Sequence, residues 1–199
     1  FHTLGCKLNF AETSTISRSF PEDKYEKVSA GQKADIYIIN TCSVTDAADK
    51  KCRQAIRKFI NMSPDAIIAV VGCYAQLKPE IIASIPGVDL VLGVNERFNI
   101  AYYIESLKKK SPCLIDSSSL TSYDKFIPSF SAGDRTRSFL KIQDGCDYWC
   151  AYCTIPLARG PSRNPEIATL VDQAMEITAR GIKEIVLTGI NIGDFGKTT

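Results

Sequence analysis

Histidine is nearly missing from these 199 residues, with His2 as its only occurrence. A tetrahedral zinc centre that mixes imidazole with thiolate has therefore only one nitrogen ligand to call on, far in sequence from the densest cysteine group. Long apolar runs are also missing. None approaches the roughly 18 residues that a membrane helix needs, which excludes such a helix. No basic–apolar–small leader pattern opens the chain, so nothing directs its cysteines to an oxidising compartment; reduced thiols and a cytoplasmic location are expected. Phe1 is not an initiator methionine, so residues ahead of it are expected to be missing. Charge of one sign is scarce as well: 24 Lys and Arg against 22 Asp and Glu leave +2. The whole chain is no polyanion binder by charge, and any nucleic-acid surface must be a local basic patch.

What the chain has instead is cysteine, eight in all. Three of them fall within Cys146-Asp147-Tyr148-Trp149-Cys150-Ala151-Tyr152-Cys153, with spacing CxxxCxxC. Three thiols so close cannot all pair as disulfides, whereas soft sulfur donors at such gaps can fold round one metal centre. No fourth cysteine follows at pair spacing, so the ligand set for zinc is incomplete. A [4Fe–4S] cube held by three thiolates leaves one iron open, and CxxxCxxC resembles the signature of the radical S-adenosylmethionine enzymes. The bland alternative is a set of buried structural cysteines, since Cys is often buried.

Residues 1–110 alternate short apolar runs with helix-length amphipathic segments, the pattern of an α/β domain with an open, mostly parallel sheet. Strands are expected over Phe1–Leu4, Ala34–Asn40, Ala66–Val71 and Val88–Leu92. Helices are expected from a cap at Asn9 to Phe20, from Thr45 or Asp46 to Ile60, over Pro79–Ser84, and from Glu96 to Leu107. In the second helix Ala48, Cys52, Ala55, Ile56, Phe59 and Ile60 form an apolar stripe, which makes Cys52 a core thiol. Its opposite face carries Lys50, Lys51, Arg53, Arg57 and Lys58, a solvated face by default and a candidate RNA surface. Cys6, Cys42 and Cys73 each fall one or two residues past an expected strand, Cys6 and Cys73 behind a glycine. Parallel strands bring their carboxyl ends to one edge, where ligands bind. A second three-cysteine iron–sulfur site follows as an expectation, against three unrelated strand-end thiols.

Residues 111–137 shift to Ser, Thr, Pro and Asp and read as a linker, with no cofactor role for Cys113. Residues 138–199 begin a new unit: a strand over Phe139–Gln143, the cysteine loop, a helix opened by Asn164-Pro165-Glu166 and closed by Gly181, and a strand over Glu184–Leu187. In that helix Ile167, Leu170, Val171, Ala174, Ile177 and Thr178 recur at helical spacing. This order resembles the first units of a TIM-like barrel, whose active sites lie in the loops after strands. A whole barrel takes about 250 residues, so it cannot close here and a fragment is expected.

Together the stretches TLGCKLNFAET, NTCSVTDAADKKCRQ, VVGCYAQ, KIQDGCDYWCAYCTIPLARGPSR and TGINIGDFG resemble the radical S-adenosylmethionine methylthiotransferases. The resemblance implies that Cys146, Cys150 and Cys153 hold the cluster that cleaves S-adenosylmethionine. Cys6, Cys42 and Cys73 would hold an auxiliary [4Fe–4S] cluster whose open iron carries the sulfur to be transferred. Tyr152 matches a position near the adenine, or else packs on the cluster. The family's Gly-Gly-Glu is reduced to Gly189 followed by Ile190 and Asn191, and Asn191 is the candidate contact to the S-adenosylmethionine amino group. TLGCK with NTCSVTDAAD is most similar to the branch acting on N6-threonylcarbamoyladenosine in tRNA. Branches acting on isopentenyladenosine tRNA or on a ribosomal-protein aspartate are alternatives. Further implied partners are tRNA and an electron donor such as a flavodoxin or ferredoxin. The family's C-terminal RNA-binding domain is absent, so this piece should be inactive alone and bind tRNA weakly, through phosphate contacts from Lys50–Lys58, Lys108–Lys110 and Arg135–Arg137. A non-catalytic iron–sulfur or zinc module is the reading from another class.

Overall fold

The computed structural model describes residues 1–29, 31–107, 109, 112–120, 125–133 and 136–197. The chain divides into two compact units, the first made of Phe1–Gly5 and Ile16–Ser118, the second of Cys6–Thr15 and Ser119–Thr199.

The first unit is built on five strands in the order β1-β2-β3-β4-β5, all parallel. They are β1 (His2–Thr3), β2 (Ile36–Thr41), β3 (Ile67–Gly72), β4 (Leu90–Leu92) and β5 (Leu114–Asp116). Successive side chains of a strand point to opposite faces, and here both faces are covered. Tyr37, Ile39, Ile68, Val70 and Val91 pack into one apolar cluster, with Cys52 and Ile56 from α2 (Asp46–Met62), Tyr74 and Ala75 from α3 (Cys73–Leu77) and Ile82 from α4 (Pro79–Ala83). Ile38, Ala69, Val71, Leu90 and Leu92 pack into the other, with Ile16 and Phe20 and with Ile100 and Ile104 from α5 (Ile100–Ser106). Double coverage is why these strands read as continuous apolar runs.

The expected α/β class with a parallel sheet is borne out. Helix α2 starts where its polar opening places it: Thr45 is the N-cap and its hydroxyl accepts from the Ala48 amide at 3.1 Å. Cys52 is fully buried, as its place on the stripe requires. The expected helix from Glu96 instead divides into a 3-10 turn, Glu96–Asn99, and α5. Three residues of the expected linker, Leu114–Asp116, are the fifth strand, with Leu114 in register with Leu90.

In the second unit α1 (Lys7–Arg18) supplies residues 7–15. Asn9 lies inside this helix and does not cap it, because its carboxamide is engaged elsewhere: Oδ1 accepts from Arg159 at 2.7 Å. Three strands follow in the order β6-β7-β8: β6 (Ser129–Phe130), antiparallel to β7 (Ser138–Lys141), which is parallel to β8 (Ile185–Thr188). Strand β6 also falls in the expected linker. Between β7 and β8 run the short α6 (Ile155–Arg159) and α7 (Ile167–Ala179). The residue at the N-cap position of α7 is Glu166, which makes no side-chain capping bond, and not Asn164, whose Oδ1 accepts from the Gly196 amide at 3.0 Å. Of its expected stripe, Ile177 is buried and Leu170 and Ala174 pack against it, whereas Ile167 and Val171 are exposed. The apolar cluster is small: Phe130, Leu140, Ile142 and Ile177.

Candidate functional site

Cys42 and Cys73 stand at neighbouring strand ends of the first unit. Thr41 and Gly72 are register partners closing β2 and β3, and each cysteine is the next residue. Gly72 holds φ at +99°, and a Cβ there would meet Asn40 Oδ1 at 2.4 Å and the Thr41 carbonyl at 2.6 Å. Only glycine lets the chain turn so tightly into Cys73. Both thiols are buried. The loop after Cys42 is braced through Asp49, which accepts from the Ser43 hydroxyl at 2.6 Å and from Lys78 Nζ at 2.7 Å. That partnership raises the Lys78 pKa. Cys52 donates to the Cys42 carbonyl at 3.3 Å, and burial pushes its thiol up to about 11. It is a neutral core group, as its helical position predicts.

The α2 basic face is as expected at Lys50, Lys51, Arg57 and Lys58, all exposed. Arg53 is not part of it in the same sense, since Nη1 donates to the Tyr74 hydroxyl at 2.7 Å. Lys109 pairs with Asp89 at 2.6 Å and Arg137 with Glu184 at 3.5 Å. Lys108, Lys110 and Arg135 lie outside the described residues.

In the second unit the three clustered cysteines lie on one loop. Asp144 and Arg163 exchange two backbone hydrogen bonds of 2.9 Å, and the Cys146 amide donates to the Gly160 carbonyl at 3.1 Å, so residues 144–163 form a loop tied at its base. Between Cys146 and Cys153 there is no helix or strand; a turn carries the Cys153 amide to the Cys150 carbonyl at 2.9 Å. All three thiols are free, Cys150 exposed and the others half-buried. Trp149 and Tyr152 face solvent, at 75% and 93% exposure. Among the described residues no three His, Cys, Asp or Glu side chains are gathered closely enough to share a metal ion. The donor chemistry still fits a three-thiolate centre, and drawing the sulfurs of this irregular loop together would break no ladder.

Two buried groups brace the loop, and neither was singled out by sequence reasoning. Gln143 Nε2 donates to the carbonyls of Asp144 and Gly145 and to the Ser162 hydroxyl, at 2.8–3.0 Å. Its Oε1 accepts from the amides of Ile190 and Asn191 at 2.9 and 2.8 Å. One side chain thus joins the cysteine loop to the Gly189–Asn191 turn. Asn191 Nδ2 is engaged by Asp194 at 2.7 Å.

The second brace is ionic. Arg159 donates to Glu12 at 3.1 and 3.2 Å, to Asp144 at 2.9 Å and to Asn9 at 2.7 Å. Lys141 donates to Glu12 and to Asp144, each at 3.2 Å. All these residues occur in the motif stretches TLGCKLNFAET and KIQDGC…LARGPSR, but a charged residue in a sequence carries no mark of burial.

Residues 1–93 match the model of the Uncharacterized protein family UPF0004. The similarity to named proteins runs through both units. The chain is 44% identical over 201 residues to the threonylcarbamoyladenosine tRNA methylthiotransferase MtaB of Bacillus subtilis, covering 99% of this chain and 44% of that protein. It is 38% identical over 196 residues to the MtaB of Thermotoga maritima, covering 98% and 44%. With the ribosomal protein uS12 methylthiotransferase RimO of Prochlorococcus marinus it shares 31% over 200 residues, covering 99% and 43%. The chain therefore spans less than half the length of these relatives.

Proposed function

We propose that this chain is part of a tRNA methylthiotransferase that adds a methylthio group at the 2-position of N6-threonylcarbamoyladenosine. The observation that carries this reading is identity along 99% of the chain, 44% to a protein named for that substrate against 31% to one named for a ribosomal protein. It agrees with the independent reading of the cysteine motifs. In this assignment Cys146, Cys150 and Cys153 hold one [4Fe–4S] cluster and Cys6, Cys42 and Cys73 hold the other. When bound, these groups and S-adenosylmethionine supply electron transfer, a substrate radical and the sulfur and methyl groups.

The chain's own residues position and shield. The tied loop 144–163 presents three thiols from one base. Gln143 holds the Ile190 and Asn191 amides fixed beside it. Because Asn191 Nδ2 is engaged by Asp194, what its carboxamide has to offer is acceptance at Oδ1, the sense that a substrate ammonium group requires. The Tyr152 ring, exposed to solvent, would cover a bound adenine in this reading. The β7–α7–β8 unit fits the opening of a parallel barrel, in which this loop sits after a strand, where barrel active sites lie. The exposed lysines and arginine of α2 offer phosphate contacts without base recognition, and a small electron-transfer protein is the expected reductant.

Nucleoside mass analysis of tRNA from a strain lacking the gene tests the substrate: loss of the 2-methylthio form of threonylcarbamoyladenosine alone is expected, and loss of the isopentenyladenosine form would move the protein to the other branch. For the full-length protein reconstituted without oxygen, about eight irons are expected from two four-iron clusters. C146A/C150A/C153A should leave about half, and one cluster's worth in the unsubstituted protein would reject the auxiliary site.

A further inference from the structure

Four formal charges are sealed inside the second unit: Glu12, Lys141, Asp144 and Arg159 are each at most 2% exposed. Taking such ions from water costs several kcal/mol apiece, and apolar side chains of the same shape often hold a fold at least as well. Adhesion between α1 and the loop therefore does not account for them. What the charges add is direction. A guanidinium fixes its donors in a plane, and Arg159 uses both terminal nitrogens: Nη1 spans Glu12 and Asp144, while Nη2 takes Asn9 and the other Glu12 oxygen. Lys141, from β7, closes the ring by donating to the same two carboxylates. Helix α1 cannot slide or rotate against the loop without breaking several charge-assisted bonds at once.

The attachment points matter. Cys6 directly precedes α1, Asp144 lies two residues before Cys146, and Arg159 six residues after Cys153. We infer that the Glu12–Arg159–Asp144–Lys141 ring is a positioning device that fixes the helix behind Cys6 against the loop bearing Cys146, Cys150 and Cys153. Cys6, one thiol of the auxiliary set, is thereby held in a fixed geometry to the loop that carries the three clustered thiols. The auxiliary role rests on the function proposed above; the ring itself does not. Arg159 is a positioning residue, acting on the thiols through its bonds to Asn9, Glu12 and Asp144.

The test uses the full-length protein and three substitutions: R159M, which removes the charge, R159K, which keeps it without the fork, and E12Q. In the metal-free protein, hydrogen exchange should accelerate at least tenfold in residues 6–15 and 144–163 together in R159M, with strands β2 and β3 unchanged. In the reconstituted protein, iron content and 5′-deoxyadenosine formation should stay within about threefold of the parent. Methylthiolated tRNA per S-adenosylmethionine cleaved should fall at least tenfold in R159M and less in R159K. Should R159M fail to fold, R159K and E12Q carry the same comparison. Unchanged exchange, an unchanged product ratio, or product lost only in proportion to iron would overturn the inference. A parent protein that cleaves no S-adenosylmethionine would overturn the proposed function instead, and the exchange result would still decide whether the ring locks α1 to the loop.

Discussion

Gly145 gives the sharpest test of how the cysteine loop is closed. Its φ is +71°, and a Cβ built there would lie 1.9 Å from the Pro161 carbonyl oxygen and 2.6 Å from that of Gly160. Both obstacles are backbone, so G145A cannot be accommodated by turning a side chain. Forcing an L-residue into the left-handed region costs about 1–2 kcal/mol. Relieving the overlap must part the two strands of the loop base, and three backbone hydrogen bonds cross it: two between Asp144 and Arg163 and one from Cys146 to Gly160. At roughly 1 kcal/mol each, G145A should lose about 4–5 kcal/mol of local stability in all. The control is G181A: Gly181 has φ +81° with nothing within 4 Å of an added Cβ, so only the backbone penalty applies, at about 1–2 kcal/mol. Hydrogen exchange of residues 141–163 in the metal-free protein reads the difference, together with iron retained after reconstitution. Equal exchange in the two variants would refute the close approach on which the loop geometry depends.

Replacing Gln143 with Leu keeps the shape and leaves the Ile190 and Asn191 amides without their acceptor; at about 1–3 kcal/mol for each unsatisfied donor, urea unfolding should show a loss of about 3 kcal/mol or more, and a smaller loss would mean water replaces the side chain. The Cys113 thiol is pushed up to about 11 by burial, with the nearby Asp89 and Glu80 carboxylates adding to it. A thiol whose folded pKa is raised contributes stability in full below its ordinary value near 9 and loses it as pH climbs to about 11. The unfolding midpoint should therefore fall across that window, and C113A should flatten part of the fall; an identical slope would reject the assignment. Reversing Lys50, Lys51, Arg57 and Lys58 to Glu in the full-length protein should weaken tRNA binding and lower its salt dependence by up to about four phosphate contacts, whatever the tRNA sequence. An unchanged salt slope would remove α2 from the RNA surface.

Much of the first unit was legible because its elements are long enough to show a period. Helix α2 announces itself by Thr45, by Asp46 and Asp49 in its first turn and by the Cys52–Ile56 stripe. Strands β2 and β3 do so by unbroken apolar runs. Strand β5 was not, since Leu114-Ile115-Asp116 is three residues long and sits between Pro112 and a run of serines. Only its pairing with β4 makes it a strand. Asn9 and Asn164 were expected as caps because their side chains suit that role, and in both cases a distant partner, Arg159 or Gly196, holds the carboxamide. The cysteine spacing carried the thiol groups. It carried nothing about Gln143 or Arg159, whose bonding is set by what folds around them.

The two units are held by different physics, and this bears on where substitutions will be felt. The first has apolar clusters on both faces of a five-stranded sheet, so loss of one side chain is spread over many contacts. The second has an apolar cluster of only four buried residues, and it also encloses a ring of four buried ions. Breaking one member of such a ring strands its partner's charge, at about 3–5 kcal/mol, whereas removing a matched pair costs far less. R159M alone should therefore destabilise the second unit more than R159M combined with E12Q, which removes one charge of each sign and leaves Lys141 paired with Asp144, an order opposite to that expected of independent contacts. If the multiple variant were instead the least stable, each bond would be acting on its own, and the case for a ring that fixes direction would fall with it.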